Sequence, residues 1–225
     1  MTGGARLGIL GGTLDPIHQG HLDAALAARD ALALDIVRVL PSHVPPHREE
    51  PAASPYHRFA MVALAVNGLD RLQASDEELR TPGPSYTVDT LERLHRSGVP
   101  ASQIFFITGA DAFAEIATWR RYPDVLALAH FVVVARPGHS LEDVPARLPG
   151  LAPRMRPARE WRDAPAPAVF LLETTTTDVS STVVRDRVRR GLSVEGLVPP
   201  GVERHIFQHG LYGAAPAANQ LHGEN

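Results

Sequence analysis

The sequence predicts an α/β fold: a mostly parallel, doubly wound sheet with helices on both faces. Three observations carry that expectation. Leu7-Gly8-Ile9-Leu10 is a short apolar run broken by Gly11-Gly12 and followed by a helical pattern, the strand-loop-helix opening of a parallel unit. Ile104-Phe105-Phe106-Ile107 and Phe131-Val132-Val133-Val134 are uninterrupted apolar runs, as expected of central strands covered on both sides. Helical patterns separate these runs, an alternation that right-handed parallel crossovers require.

The first helix is expected from about Gly20 to Leu32, because Leu22, Ala25, Leu26 and Leu32 share one face. Ile36 to Leu40 reads as a second strand ended by Pro41. Pro55 to Asn67 has proline in its first turn and Phe59, Val62, Ala63 and Val66 at helical spacing. Thr87 or Asp89 is a candidate cap for a helix that runs to about Ser97 and stops at Gly98. Seven prolines between Pro137 and Pro167 predict a long surface excursion with one short helix over Ser140 to Leu148. Val169 to Leu172 resumes the sheet. Ser180-Ser181-Thr182 precedes a helix from Val183 to Arg190 that Gly191 ends, and a last helix covers Gly201 to His209. A single domain is expected over 1–212, with a disordered tail over 213–225.

Composition narrows the function. The chain has 225 residues, 44% apolar and 21% charged, with a net charge of −3, so no basic excess recommends a nucleic-acid surface. It has no cysteine, which excludes disulfides, thiolate metal sites and thiol catalysis together. No apolar span is long enough for a bilayer and no signal-peptide core is present, so a cytoplasmic location without membrane partners is expected. Every basic side chain is arginine. Phosphate contacts must therefore come from arginine, histidine, hydroxyls or backbone amides.

Gly11-Gly12-Thr13 supplies the small residues that let a backbone approach a phosphate after a first strand. His18 and His21 lie three apart, so a helix starting at or just before His18 projects both imidazoles near its N-terminal end, toward one anion favoured by the helix dipole. Neither a Gly-x-Gly-x-x-Gly fingerprint nor a lysine phosphate loop is present, and the histidine pair lacks the i, i+4 spacing and intervening Glu of a helical zinc protease. Gly11 to Pro16 with His18-Gln19-Gly20-His21 resembles the signature of the HxGH nucleotidyltransferase superfamily, with Leu14 where phenylalanine is usual. The resemblance implies a Rossmann-like fold in which His18 and His21 stabilise the transition state at the α-phosphate of ATP.

The second signature of that superfamily resembles Val179-Ser180-Ser181-Thr182-Val183-Val184-Arg185. Hydroxyls and free amides at a helix start bind polyphosphate, and Arg185 adds a fork of donors. By the same resemblance Gly109 and Asp111 join Gly11, Gly12, Thr13, Ser180, Ser181 and Thr182 around ATP, and His18, His21 and Arg185 are the catalytic set. The middle of the chain, Pro41 to Arg48, Pro84 to Leu91 and Gly109-Ala110-Asp111 with Trp119, is similar to the bacterial nicotinate mononucleotide adenylyltransferases, over about Arg6 to Tyr212. That likeness implies that His47 and Arg48 bind the acceptor's phosphate, that Thr87 lines the ring pocket and that Trp119 stacks on the pyridine.

The implied activity is transfer of AMP from ATP to nicotinate mononucleotide in NAD biosynthesis, giving deamido-NAD and pyrophosphate. Nicotinamide mononucleotide and phosphopantetheine are alternative acceptors, and an ATP-binding regulator of the same fold is the non-enzymatic alternative. Mg²⁺ is the expected cofactor, held by phosphates and water. Asp15 and Asp89 are isolated carboxylates and are not expected to be metal ligands. Residue types signal no particular oligomeric state.

Overall fold

The structure is a computed structural model and describes residues 4–46, 50–138, 141–164 and 167–214. In chain order its elements are β1 (Leu7–Gly12), α1 (Gln19–Ala31), β2 (Ile36–Pro41), α2 (Pro55–Val66), β3 (Leu72–Ala74), α3 (Thr87–Arg96), β4 (Ile104–Gly109), α4 (Ala110–Ala114), β5 (His130–Val134), α5 (Val144–Arg147), β6 (Met155–Pro157), β7 (Val169–Leu172), α6 (Ser181–Arg189) and α7 (Pro200–Gln208). The strands form one sheet in the order β3-β2-β1-β4-β5-β7-β6, and every pairing is parallel.

Alternation along the strands divides the core into two layers. Phe105, Ile107, Val132 and Val134 pack with α1, α2, α6 and α7 through Leu22, Ala25, Met61, Val62, Val184 and Ile206. Ile104, Phe106, Phe131 and Val133 face the other way, onto Val88, Leu91 and Leu94 of α3, Phe113 of α4 and Val144 of α5. A doubly wound sheet with helices on both faces is thus what the apolar runs build.

Most elements lie where the sequence places them, with physical reasons for the exceptions. β1 does not break at Gly11 but continues, pairing Gly11 with Leu40 and Gly12 with Pro41. α2 buries Arg58, Met61, Val62, Ala65 and Val66 rather than the face through Phe59 and Ala63, because Arg58 turns inward toward backbone carbonyls. α3 is capped by neither Thr87 nor Asp89: Tyr86 is the N-cap without a side-chain bond, and Thr87 is the first helical residue. Gly98 does end the turn, at φ +94°.

The edge strands β3 and β6, three residues each, are too short to leave a periodic trace. β6 arises inside the proline-rich excursion, with Pro157 at its end on the sheet edge, where a missing amide costs nothing. The helix expected over Ser140 to Leu148 is only Val144–Arg147, and Ser140 itself lies outside the described residues. Beyond Tyr212, Gly213 and Ala214 are still placed and Ala214 is buried; the rest of the expected tail lies outside the described residues.

Candidate active site

Strand order reverses direction between β1 and β4, which leaves a crevice beyond their carboxyl ends, the position where open parallel sheets bind ligands. Gly11, Gly12 and Thr13 leave β1 there, and Gly109 leaves β4. Neither Gly11 nor Gly12 has a positive φ, and a Cβ added to either would meet only ordinary contacts at 3.5 Å or more. The fold alone does not demand glycine at these positions.

His18 is the N-cap of α1 and is 2% exposed. Its ring stacks on that of His21 with centroids 3.7 Å apart. The His18 amide donates to His21 Nδ1 at 3.3 Å, so a neutral His21 carries its proton on Nε2, facing away from that bond. Burial, and then the Arg136 guanidinium, drive the His18 imidazole down to about 3, against an upward pull from Asp23. His18 is therefore neutral at physiological pH, and its buried Nδ1 has no hydrogen-bond partner among the described residues. Gly20 permits this packing, since a Cβ would stand 3.0 Å from the Thr177 carbonyl and 3.4 Å from the His18 ring.

The α6 start is drawn to the same place. Asp23 of α1 accepts from the Thr177 amide at 2.8 Å and its hydroxyl at 2.7 Å, and also from Gln19. Burial would raise the Asp23 carboxyl, but these bonds outweigh it and hold it below its ordinary value. Ser181 Oγ donates to the Pro16 carbonyl at 2.9 Å, and Ser180 caps α6 by accepting from the Val183 amide. Two helix N-termini, whose first amides lack intrahelical acceptors, thus stand side by side. Arg185 donates to the Asp15 carbonyl at 2.6 Å and to Thr182 at 3.3 Å, and it keeps 26% of its side chain exposed.

Asp111 opens α4 and does not cap it; it faces Arg136 at 4.0 Å. A side chain at Gly109 would run into both. A cavity of about 580 Å³ begins beside Arg136 and is lined also by Ala135, Leu141, Asp143 and Glu173.

Asp15, 4% exposed, is a structural anchor. It accepts from the amides of Ala52 and Ala53, at 2.8 and 3.1 Å, and from the Tyr212 hydroxyl at 2.8 Å. Burial, then the nearby Asp15 charge and bond, push the Tyr212 phenol far up, so it stays a donor. Arg58 is fully buried and donates to three carbonyls: Thr13 at 2.7 Å, His43 at 3.0 Å and Ala53 at 3.2 Å. One guanidinium therefore fixes the loops after β1 and β2 together.

The segments assigned to the acceptor also meet. Val44 bridges Pro84, the His43 amide donates to Ser85 Oγ at 2.8 Å, and the Ser85 amide donates to the Val44 carbonyl. Glu78, its pKa raised by burial, bonds Ser85 and accepts from Thr90 at 2.7 Å. Ser42 Oγ and His43 Nδ1 are buried without a described partner, next to the crevice. Thr87 begins α3. Trp119 is half-buried, edge-on to Phe106 at 5.9 Å and Phe131 at 6.3 Å. Arg120 ties its segment to α3 by stacking over Tyr86 and pairing with Asp89. His47 and Arg48 lie outside the described residues.

Three participants escaped the sequence reading. Arg136 directly follows an apolar strand run, at the carboxyl end where ligands bind, and that position was its signal. Arg58 sits at helical spacing with Met61, Val62 and Ala65, so its place on the buried face was readable. Tyr212 reaches Asp15 across 197 residues and left no local trace.

The cytidylyltransferase-like family model matches residues 9–187. A protein of Desulfatibacillum aliphaticivorans named "Probable nicotinate-nucleotide adenylyltransferase" is 43% identical over 92% of this chain and 99% of its own length. One of the same name from Pseudomonas syringae pv. tomato is 40% identical over 93% and 94%. The fold is that of the Plasmodium falciparum nicotinic acid mononucleotide adenylyltransferase complexed with NaAD, with a TM-score of 0.70 at 15% identity over 93% of this chain and 98% of that one. By its relatives and its fold the chain is a nucleotidyltransferase. The chain belongs to the cytidylyltransferase-like family and, within it, to the nicotinate-nucleotide adenylyltransferases.

Proposed function

We propose that the protein transfers the AMP group of ATP to nicotinate mononucleotide, giving deamido-NAD and pyrophosphate. The observation that carries this reading is the stacked His18–His21 pair at the start of α1, set against the start of α6 at the strand-order reversal. The acceptor's phosphate oxygen attacks the α-phosphorus in line and pyrophosphate leaves, with no protein nucleophile. A phosphate monoester is already largely ionised at neutral pH, so no general base is needed.

Catalysis in this reading is positioning and electrostatics. His18, neutral by burial, and His21 donate N–H to the α-phosphate oxygens as charge accumulates, while the amides of Ser181 and Thr182 hold the polyphosphate. Arg136, whose charge acts on His18, and Arg185, bonded to the Asp15 carbonyl, supply fixed positive charge. Thr13, Gly11 and Gly12 admit the nucleotide close to backbone, with Gly109 and Asp111 flanking it. Thr87 and Trp119, with His47 and Arg48, receive the acceptor.

Mg²⁺ accompanies ATP here and neutralises phosphate charge. In this reading the ion is carried mainly by phosphates and water. No described helix is long and apolar enough to cross a membrane, and we assign the activity to the cytoplasm with small-molecule partners only.

Incubation with ATP, Mg²⁺ and nicotinate mononucleotide should release pyrophosphate. His21→Ala should keep ATP affinity while kcat falls by about 10²–10³, the usual loss of one transition-state donor. The ratio of kcat/KM for nicotinate and nicotinamide mononucleotides sets the acceptor, and phosphopantetheine is the control. ATP binding without turnover on any of these acceptors would refute the enzymatic reading.

A further inference from the structure

Away from the crevice, three histidines meet where α2 packs on α7. His57 Nδ1 and His205 Nε2 are 3.1 Å apart. The His209 ring centroid is 4.4 Å from that of His205 and 5.1 Å from that of His57. His205 and His209 are four apart on α7 and its cap, so they share a helical face, and His57 enters from α2. The proposed reaction uses none of them.

The geometry points to a binding site for a divalent transition-metal cation, formed by His57, His205 and His209, that clasps α2 to α7. Two imidazole nitrogens bound at 2.0–2.1 Å to one tetrahedral ion stand about 3.3 Å apart, close to the spacing already present between His57 and His205. No three such donors yet converge among the described residues. Closure requires that His57 Nδ1 and His205 Nε2 give up the hydrogen bond between them, its proton moving to the other nitrogen of the donor ring, and that the exposed ring of His209 turn toward the other two. A pair at i, i+4 on one helix with a third imidazole from a neighbour leaves the fourth position to water.

The site borders the active-site supports on both sides. His57 adjoins Arg58, and Tyr212, which holds Asp15, follows His209 by three residues. A bound ion would brace the two elements that grip the loop after β1.

The test uses the untagged full chain and Zn²⁺ as the probe. At a hundredfold excess over Kd, Zn²⁺ should raise Tm by about 5–10 °C, reversibly with a chelator. Calorimetry should give one site, and Cu²⁺ substituted there should show hyperfine coupling from three imidazole nitrogens. His57→Gln and His209→Gln should each weaken Zn²⁺ binding tenfold or more. An unchanged Tm for the unsubstituted protein would show a hydrogen-bonded pair only and overturn the proposal. So would Zn²⁺ binding that survives both substitutions, or that is lost instead in His21→Ala, which would put the ion on the catalytic pair.

Discussion

Acid should weaken the fold through His18, by an amount that the site geometry sets. An unfolded His18 takes a proton near pH 6.5, whereas in the folded chain burial and Arg136 delay protonation to about pH 3. Above pH 6.5 both states are neutral and stability is unaffected. As pH falls through the window from 6.5 to 3, only the unfolded chain gains the proton, so stability drops by about 1.4 kcal/mol per pH unit. At pH 5.0 the loss from this residue is about 2 kcal/mol. His130 moves the same way, driven to about 4 by burial, with Arg154 adding to it and a bond to the Ser102 backbone opposing it. Urea unfolding at pH 7.5 and 5.0 for the unsubstituted protein and His18→Gln separates the two contributions. The variant should lose about 2 kcal/mol less between those pH values, or about 1 M in urea midpoint for a slope near 2 kcal/mol/M. Equal losses, within about 0.5 kcal/mol, would refute the reasoning, as would a His18 ring that titrates near 6.5 by NMR.

Tyr212→Phe removes one of three donors to buried Asp15 and should cost about 1–2 kcal/mol, read as a Tm lower by a few degrees. Gly20→Ala should lower kcat/KM for ATP tenfold or more while the circular dichroism is unchanged, because the added methyl presses on His18 and the Thr177 carbonyl; full activity would count against the tight packing. Trp119→Ala should raise KM for the pyridine nucleotide at least tenfold and leave KM for ATP within about twofold. Equal effects on both would make Trp119 a core residue only.

Much of the fold was legible because central parallel strands are covered on both faces and therefore read as bare apolar runs, as Ile104 to Ile107 and Phe131 to Val134 do. β3 and β6 were not, since three residues carry no period. The candidate catalytic motifs were legible because their pattern is local: His18 and His21 share one helix start, and Ser180 to Arg185 another. The supports were not, because Arg58 and Tyr212 act on carbonyls and a carboxylate far away in sequence. Arg58 shows why a helical face called from apolar residues alone drifts: a buried arginine bonded to Thr13, His43 and Ala53 rotates α2 away from Phe59.

The bond from Tyr212 to Asp15 also orders events in time. A chain emerging from the ribosome presents β1 and the Gly11 to His21 segment first, yet Asp15 gains its third donor only after residue 212 has been synthesised and α7 has docked. The earliest motif is therefore among the last parts of the molecule to be finished. Partly synthesised chains would carry the recognisable Gly11 to His21 segment without the bond that completes its support.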